Sequence, residues 1–133
     1  MLHHVELYVS NLDDSIRAWE WLLCDQLAYT LYQSWPEGRS YRYGDTYLVF
    51  VQTEESHLTP SYHRKKTGLN HLAFHASSLI QLEEIRQQLA SHGFRELYAD
   101  RFPHAGGPNY TALFFEDPER IKAELVATMR TAS

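Results

Sequence analysis

The chain repeats itself. His4-Val-Glu-Leu-Tyr-Val-Ser-Asn-Leu12 matches His71-Leu-Ala-Phe-His-Ala-Ser-Ser-Leu79, and every position is displaced by 67 residues (71 − 4). A histidine, two inward apolar positions, a serine and a leucine recur in register. Such self-similarity marks two copies of one supersecondary unit, each unable to cover its own apolar face alone.

Within each copy the hydrophobic period changes in the same order. Residues 4–9 alternate, with Val5, Leu7 and Val9 on one strand face and His4, Glu6 and Tyr8 on the other. Asn11 or Asp13 can then cap a helix to about Cys24, with Ile16, Trp19, Leu22 and Leu23 as its apolar stripe. Strand-like runs follow at 28–32, 40–43 and 46–52, separated by turn pairs Glu37-Gly38 and Gly44-Asp45. The polar stretch 53–67 reads as a linker. The plan then restarts with a strand over 70–76 and a helix over 79–92, stopped by Gly93, with Leu82, Ile85 and Leu89 as its stripe. A short strand at 94–98, an irregular Gly/Pro loop at 101–109, and strands at 110–115 and 121–128 joined by an Asp117-Pro118 turn complete it. The expected fold is α+β. Two βαβββ modules (1–52 and 68–133, linked by 53–67) form a curled eight-stranded sheet around a cleft, with one helix per module outside, in a single domain of 133 residues.

Composition bounds the function. Hydrophobic residues are 44 % and charged residues 22 %, ordinary for a globular chain, and the net charge of −5 disfavours nucleic-acid or anionic-membrane partners. No apolar run approaches the roughly 20 residues of a membrane span. The opening Met1-Leu2-His3-His4 lacks the basic start of a secretory signal, and the lone Cys24 cannot form an internal disulfide. A cytoplasmic protein with a reduced, part-buried thiol is expected.

The chemistry-bearing residues sit at equivalent points of the repeat. His4 and His71 open the first strand of each module, and imidazole is a common ligand of divalent first-row metals. In Ile121-Lys-Ala-Glu-Leu-Val126, Glu124 lies opposite Ala123 and Leu125, and a mid-strand carboxylate is rarely buried unpaired. His4, His71 and Glu124 are therefore the candidate ligands of a divalent ion (Fe, Mn, Ni or Zn), with Glu124 the candidate catalytic group. A lone strand histidine is more often a satisfied polar residue, so the weight rests on the coincidence of repeat, parity and residue type. His3 shares parity with Val5 and Leu7, which places it under the helix or at the chain end and excludes it as a ligand. His75, on the face of His71, and His104, in the Gly/Pro loop, are candidates to meet substrate, with Tyr47, Val49 and Tyr110 as further cleft residues. His57, His63 and His92 read as exposed loop or helix-end residues.

These motifs resemble the vicinal oxygen chelate superfamily, the glyoxalase, bleomycin-resistance and extradiol-dioxygenase group. His4-Val-Glu-Leu-Tyr-Val-Ser-Asn-Leu looks like its opening strand and helix start, Gly68-Leu-Asn-His-Leu-Ala-Phe like its second-module opening, and Phe115-Glu-Asp-Pro-Glu-Arg-Ile-Lys-Ala-Glu124 like its terminal strand. The resemblance implies a metal site at His4, His71 and Glu124, a small-molecule substrate chelated through two adjacent oxygens, and a homodimer. It implies either a lyase like lactoylglutathione lyase or an oxidoreductase like the extradiol dioxygenases. Four-ligand relatives add a glutamate from the last strand of module one. Aligning 46–51 on 121–126 puts Val49 there, and valine cannot ligate. Glu119-Arg120 stands where many relatives have Asp-Gly, a change of turn residue. The competing reading is a metal-free binding or drug-sequestering protein. Aromatics are 14 % of the chain, and Trp35, Tyr41, Tyr43, Tyr47 and Tyr110 could line a stacking cleft.

Overall fold

The computed structural model describes residues 1–127; Thr128, which the strand pattern includes, lies outside the described residues. The chain divides into two compact units, Met1–Ser61 and Tyr62–Ser133, with the boundary inside the polar stretch 53–67.

In the first unit, β1 (His4–Val9) leads to helix α1 (Leu12–Glu20), then β2 (Thr30–Trp35), β3 (Gly38–Tyr43) and β4 (Thr46–Gln52). They form a four-stranded sheet in the order β1-β4-β3-β2. β1 runs parallel to β4 and the other pairs are antiparallel. The Asn11 side chain caps α1 by accepting from the Asp14 amide at 3.1 Å, and Asp13 and Asp14 add negative charge at the helix's positive end. The helix buries Leu12, Ser15, Ala18 and Trp19, and the Trp19 ring packs 5.3 Å from Phe50.

The expected single helix to Cys24 is split. α1 ends at Glu20 and a π-helical turn runs Trp21–Gln26. Trp21, Leu22 and Leu23 are three consecutive buried residues, more than the 100° step of an α-helix can bring to one side. A wider turn re-phases the chain and buries all three. Ile16, expected in the stripe, is only half-buried. Ala28 then adopts φ 63°, so extended backbone begins at Thr30, and β2 lies later than the expected 28–32. The turn falls at residues 36–37, and Gly38 opens β3 because the Trp35 ring lies against it. A Cβ there would come within 2.3 Å of the indole.

The second unit repeats the order. β5 (His71–Ala76), α2 (Leu79–Gln88), β6 (Arg95–Leu97), β7 (Ala112–Glu116) and β8 (Lys122–Ala127) give a second four-stranded sheet, β5-β8-β7-β6. The eight strands thus form two four-stranded sheets, each with one helix. Ser78 caps α2 through the Gln81 amide, and Gly93 ends the helical segment at φ 87° as its position predicts. Leu82 and Ile85 are buried on α2 and Leu89 at its C-cap, as are Leu113, Phe115 and Leu125 on the sheet. Among the described residues no helix is long and apolar enough to cross a membrane.

Two stability outcomes follow. Trp19→Ala should cost about 3–5 kcal/mol, since it empties a fully buried site against Phe50. Asn11→Ala should cost about 1 kcal/mol, the value of one N-cap. Urea midpoints at constant slope check both; an unchanged midpoint for Trp19→Ala would refute the packing described.

Candidate functional site

In module two, β5 and β8 are parallel, with His71 opposite Lys122 and Ala73 opposite Glu124. Registered residues of neighbouring strands point to the same side, so His71 and Glu124 share a face. The structure brings them together: His71 Nε2 lies 3.0 Å from Glu124 Oε1. Glu124 is 4 % exposed. Its other oxygen, Oε2, accepts a hydrogen bond from the Tyr110 hydroxyl. That bond, followed by desolvation and the carboxylate's charge, pushes the Tyr110 phenol up to about 12. The Tyr110 ring rests on Gly106, where a Cβ would come within 2.6 Å of it.

Asn70 sets the imidazole. Its Oδ1 lies 2.7 Å from His71 Nδ1, and its Nδ2 donates to the Arg64 carbonyl at 3.2 Å, which fixes the amide's orientation. His71 Nδ1 is therefore the protonated nitrogen, and Nε2 faces the carboxylate. A proton or a cation must lie between Nε2 and Oε1. Two cis donors of an ion with bonds of about 2.1 Å stand about 3 Å apart, so this pair fits a divalent first-row ion. Among the described residues, neither module by itself gathers three or more His, Cys, Asp or Glu side chains for a metal.

In module one, His4 opens β1 opposite Tyr47, and the two rings stack at 4.7 Å with planes 3° apart. Val49 is buried, opposite Glu6 on one side and Ser40 on the other. Since Glu6 and Ala73 are 67 residues apart in the repeat, Val49 is the register equivalent of Glu124. The carboxylate on His4's strand face in this module is Glu6, and it is exposed.

His3 behaves differently from its parity. It lies at the chain end and is exposed, but its ring turns toward His4 and Tyr47, with Nδ1 2.8 Å from His4 Nδ1. β1 begins at His4, but the His3 carbonyl still accepts from the Tyr47 amide at 3.2 Å, so it is the His3 side chain alone that departs from the alternation. His3 and Asn70 are equivalent in the repeat, and each contacts Nδ1 of the histidine that follows. For His3, strand parity extended one position beyond β1 points the side chain the wrong way; Asn70, read as the first residue of its strand, carries no such signal. The signal available was simply adjacency to a candidate ligand.

His75 is exposed on the face of His71, and His104 Nδ1 lies 3.3 Å from the Tyr110 carbonyl. Two aromatics assigned to a stacking cleft are elsewhere. Tyr41 is fully buried on the opposite face, where its hydroxyl donates to Glu20 at 2.9 Å and burial drives its pKa well up. Tyr43 shares that parity and packs 5.4 Å from Tyr29. A separate open hollow of about 250 Å³, bounded by Tyr8, Glu54 and His57, contains none of the predicted site residues.

Residues 1–125 match the sequence profile of the Glyoxalase/Bleomycin resistance protein/Dioxygenase superfamily. The chain is 52 % identical over 126 residues to the uncharacterized protein YqjT of Bacillus subtilis (strain 168), covering 95 % of this chain and 98 % of that one. It superposes with a TM-score of 0.92 on the crystal structure of a candidate glyoxalase from Bacillus halodurans, 58 % identical, with 96 % and 95 % of the two chains covered. More distantly, the fold matches the fosfomycin resistance protein FosX of Listeria monocytogenes, solved with Mn(II) and sulfate, at a TM-score of 0.65 and 15 % identity over 97 % and 93 % of the chains. The chain belongs to the glyoxalase/bleomycin resistance protein/dioxygenase superfamily.

Proposed function

We propose that the chain is a divalent-metal-dependent enzyme acting on a small molecule that offers two adjacent oxygens, with His4, His71 and Glu124 as protein ligands. The observation that carries this reading is the His71–Glu124 pair at 3.0 Å, with Asn70 holding the imidazole in its ligating tautomer. An ion bound there supplies Lewis-acid polarisation of the substrate oxygens. The chain's own groups do the rest. The Tyr110 hydroxyl keeps a proton beside Glu124 Oε2, which fixes the carboxylate and leaves Oε1 toward His71. Glu124, desolvated at 4 % exposure, is the group placed for proton transfer.

His4 is the third donor, from the equivalent place in module one. Three protein ligands leave positions for substrate. Fe, Mn, Ni or Zn suits this nitrogen–oxygen set, and Mn(II) in the FosX structure supports the choice of class. Lyase chemistry of the lactoylglutathione type and ring-opening oxidation of the extradiol type are the two reactions such a set serves. In this reading all 133 residues act as one domain in a cytoplasmic homodimer. One observation favours a second reading, metal-free binding of a planar molecule or drug. His4 stacks on Tyr47, Tyr32 lies 5.1 Å from Tyr47, and the Arg42 guanidinium stands 5.2 Å over Tyr32. That surface could stack an aromatic ligand.

Protein purified without chelator should carry one first-row ion. His4→Ala or His71→Ala should lose it, and Glu124→Gln should cut metal-dependent turnover by about 10²-fold or more. Asn70→Ala and His3→Ala should weaken metal affinity by about 10–100-fold, as loss of an orienting partner does. Metal content and folding midpoint score the panel; well-folded proteins that never carry metal transfer the case to the binding reading.

Val49→Glu should tighten metal retention by about tenfold, about 1.4 kcal/mol. Competition with a chelator measures it, and a variant that folds yet releases metal faster would show that Val49 does not face the site.

A further inference from the structure

Lys122 opens β8 in register with His71 on one side and Glu116 on the other, so it shares the face of His71 and Glu124. Its natural counter-charge is already taken. Arg64 holds one Glu116 oxygen at 2.8 Å and Arg95 the other at 3.4 Å. The Lys122 ammonium instead donates to the Tyr98 hydroxyl at 3.1 Å, and stands 5.0 Å and 5.2 Å from the Tyr98 and Phe114 ring centroids. The Arg101 guanidinium lies 5.1 Å from the same Tyr98 ring. Among the described residues neither Lys122 nor Arg101 has a carboxylate within ion-pair distance. Tyr98 presents its ring from a left-handed conformation, φ 57°, which is strained for a non-glycine residue.

Two cations on one aromatic ring repel each other, and among the described residues no carboxylate forms an ion pair with either. In a chain of net charge −5 that is not a surplus of basic residues spilling onto the surface. It is a pair of cations gathered on one ring, Lys122 from the sheet face that carries Glu124 and Arg101 from the turn after Tyr98. We propose that Lys122 and Arg101, held on the Tyr98 ring, bind the acid group of the substrate, a carboxylate or phosphate-type anion. Lys122 and Glu124 lie two residues apart along β8, so their backbones are about 7 Å apart and both side chains leave the same face of the sheet. A small organic acid would lie along this face with its adjacent oxygens toward Glu124 and its acid group on Lys122. The substrate class is then a small anionic oxygenated compound rather than a neutral one. The location of the adjacent oxygens rests on the proposed function; anion capture by Lys122 and Arg101 does not, because it needs no metal.

The test uses the full-length protein stripped of metal and dialysed free of chelator, at low and matched ionic strength. Inorganic phosphate and acetate are titrated separately while backbone amide NMR shifts are followed. Wild type should give a saturable response at Tyr98, Arg101 and Lys122. Saturation by phosphate alone identifies a phosphate-type group, and by acetate alone a carboxylate. Lys122→Met keeps the apolar stem against Phe114 and should bind about tenfold more weakly. Arg101→Gln, at an exposed position, should weaken binding several-fold and covers the case in which Lys122→Met fails to fold. Absence of saturation with both anions, or wild-type affinity in the variants that fold, overturns the proposal. Metal content of Lys122→Met, measured separately, should match wild type. A failed metal reading with an intact anion response would therefore be recognised as such.

Discussion

A carboxylate buried in mid-strand must be matched by donors or cations, because leaving it unmatched costs several kcal/mol. Glu124 sets that requirement for module two. His71 reaches one oxygen from the neighbouring strand and Tyr110 reaches the other from the loop before β7. Bringing Tyr110 there requires its ring to lie on Gly106, so the path of the Gly/Pro loop depends on the carboxylate it serves. The same demand passes outward. His71 needs a fixed tautomer, Asn70 provides it, and Asn70 is itself held by the carbonyl of Arg64, whose guanidinium neutralises Glu116.

Much of this was legible in the sequence because it depends on period and repetition. Alternation put His71 and Glu124 on one face, the 67-residue offset put His4 and His71 at equivalent points, and Gly93 marked a helix end. What was not legible depends on backbone or side-chain choices at element ends. Trp21 to Leu23 are buried consecutively in a π turn, which no regular period announces. Ala28 enters the left-handed region and delays β2, though nothing in alanine signals it. His3 and Asn70 lie just before their strands, where a side chain can turn toward the histidine that follows rather than keep the alternation. Tyr41 and Tyr43 belong to the helix side of their sheet, a matter of register that aromatic content cannot reveal.

The two modules keep the same ladder and diverge in what it carries. The position opposite Ala73 holds a buried, hydrogen-bonded glutamate, and the position opposite Glu6 holds a buried valine. Burying an aliphatic side chain requires no partner, so module one has no counterpart of the Tyr110 contact. Its histidine is instead supported by aromatic stacking on Tyr47. Duplication supplied two equivalent frames, and the polar chemistry was concentrated in one of them.

All six residues of β2 are exposed at the edge of their sheet, among them Leu31, Tyr32 and Trp35. An edge of this kind is a template on which another extended chain can add through main-chain hydrogen bonds. β2 carries its own obstacle. The pairing with β3 slips between Leu31 and Gln33, and a strand with a slipped register cannot extend a straight ladder. Regularising those few residues would leave a continuous, straight row of main-chain donors and acceptors along that edge. The irregularity is of the kind that interrupts edge-to-edge pairing, and here it falls beside the exposed apolar residues Leu31 and Tyr32.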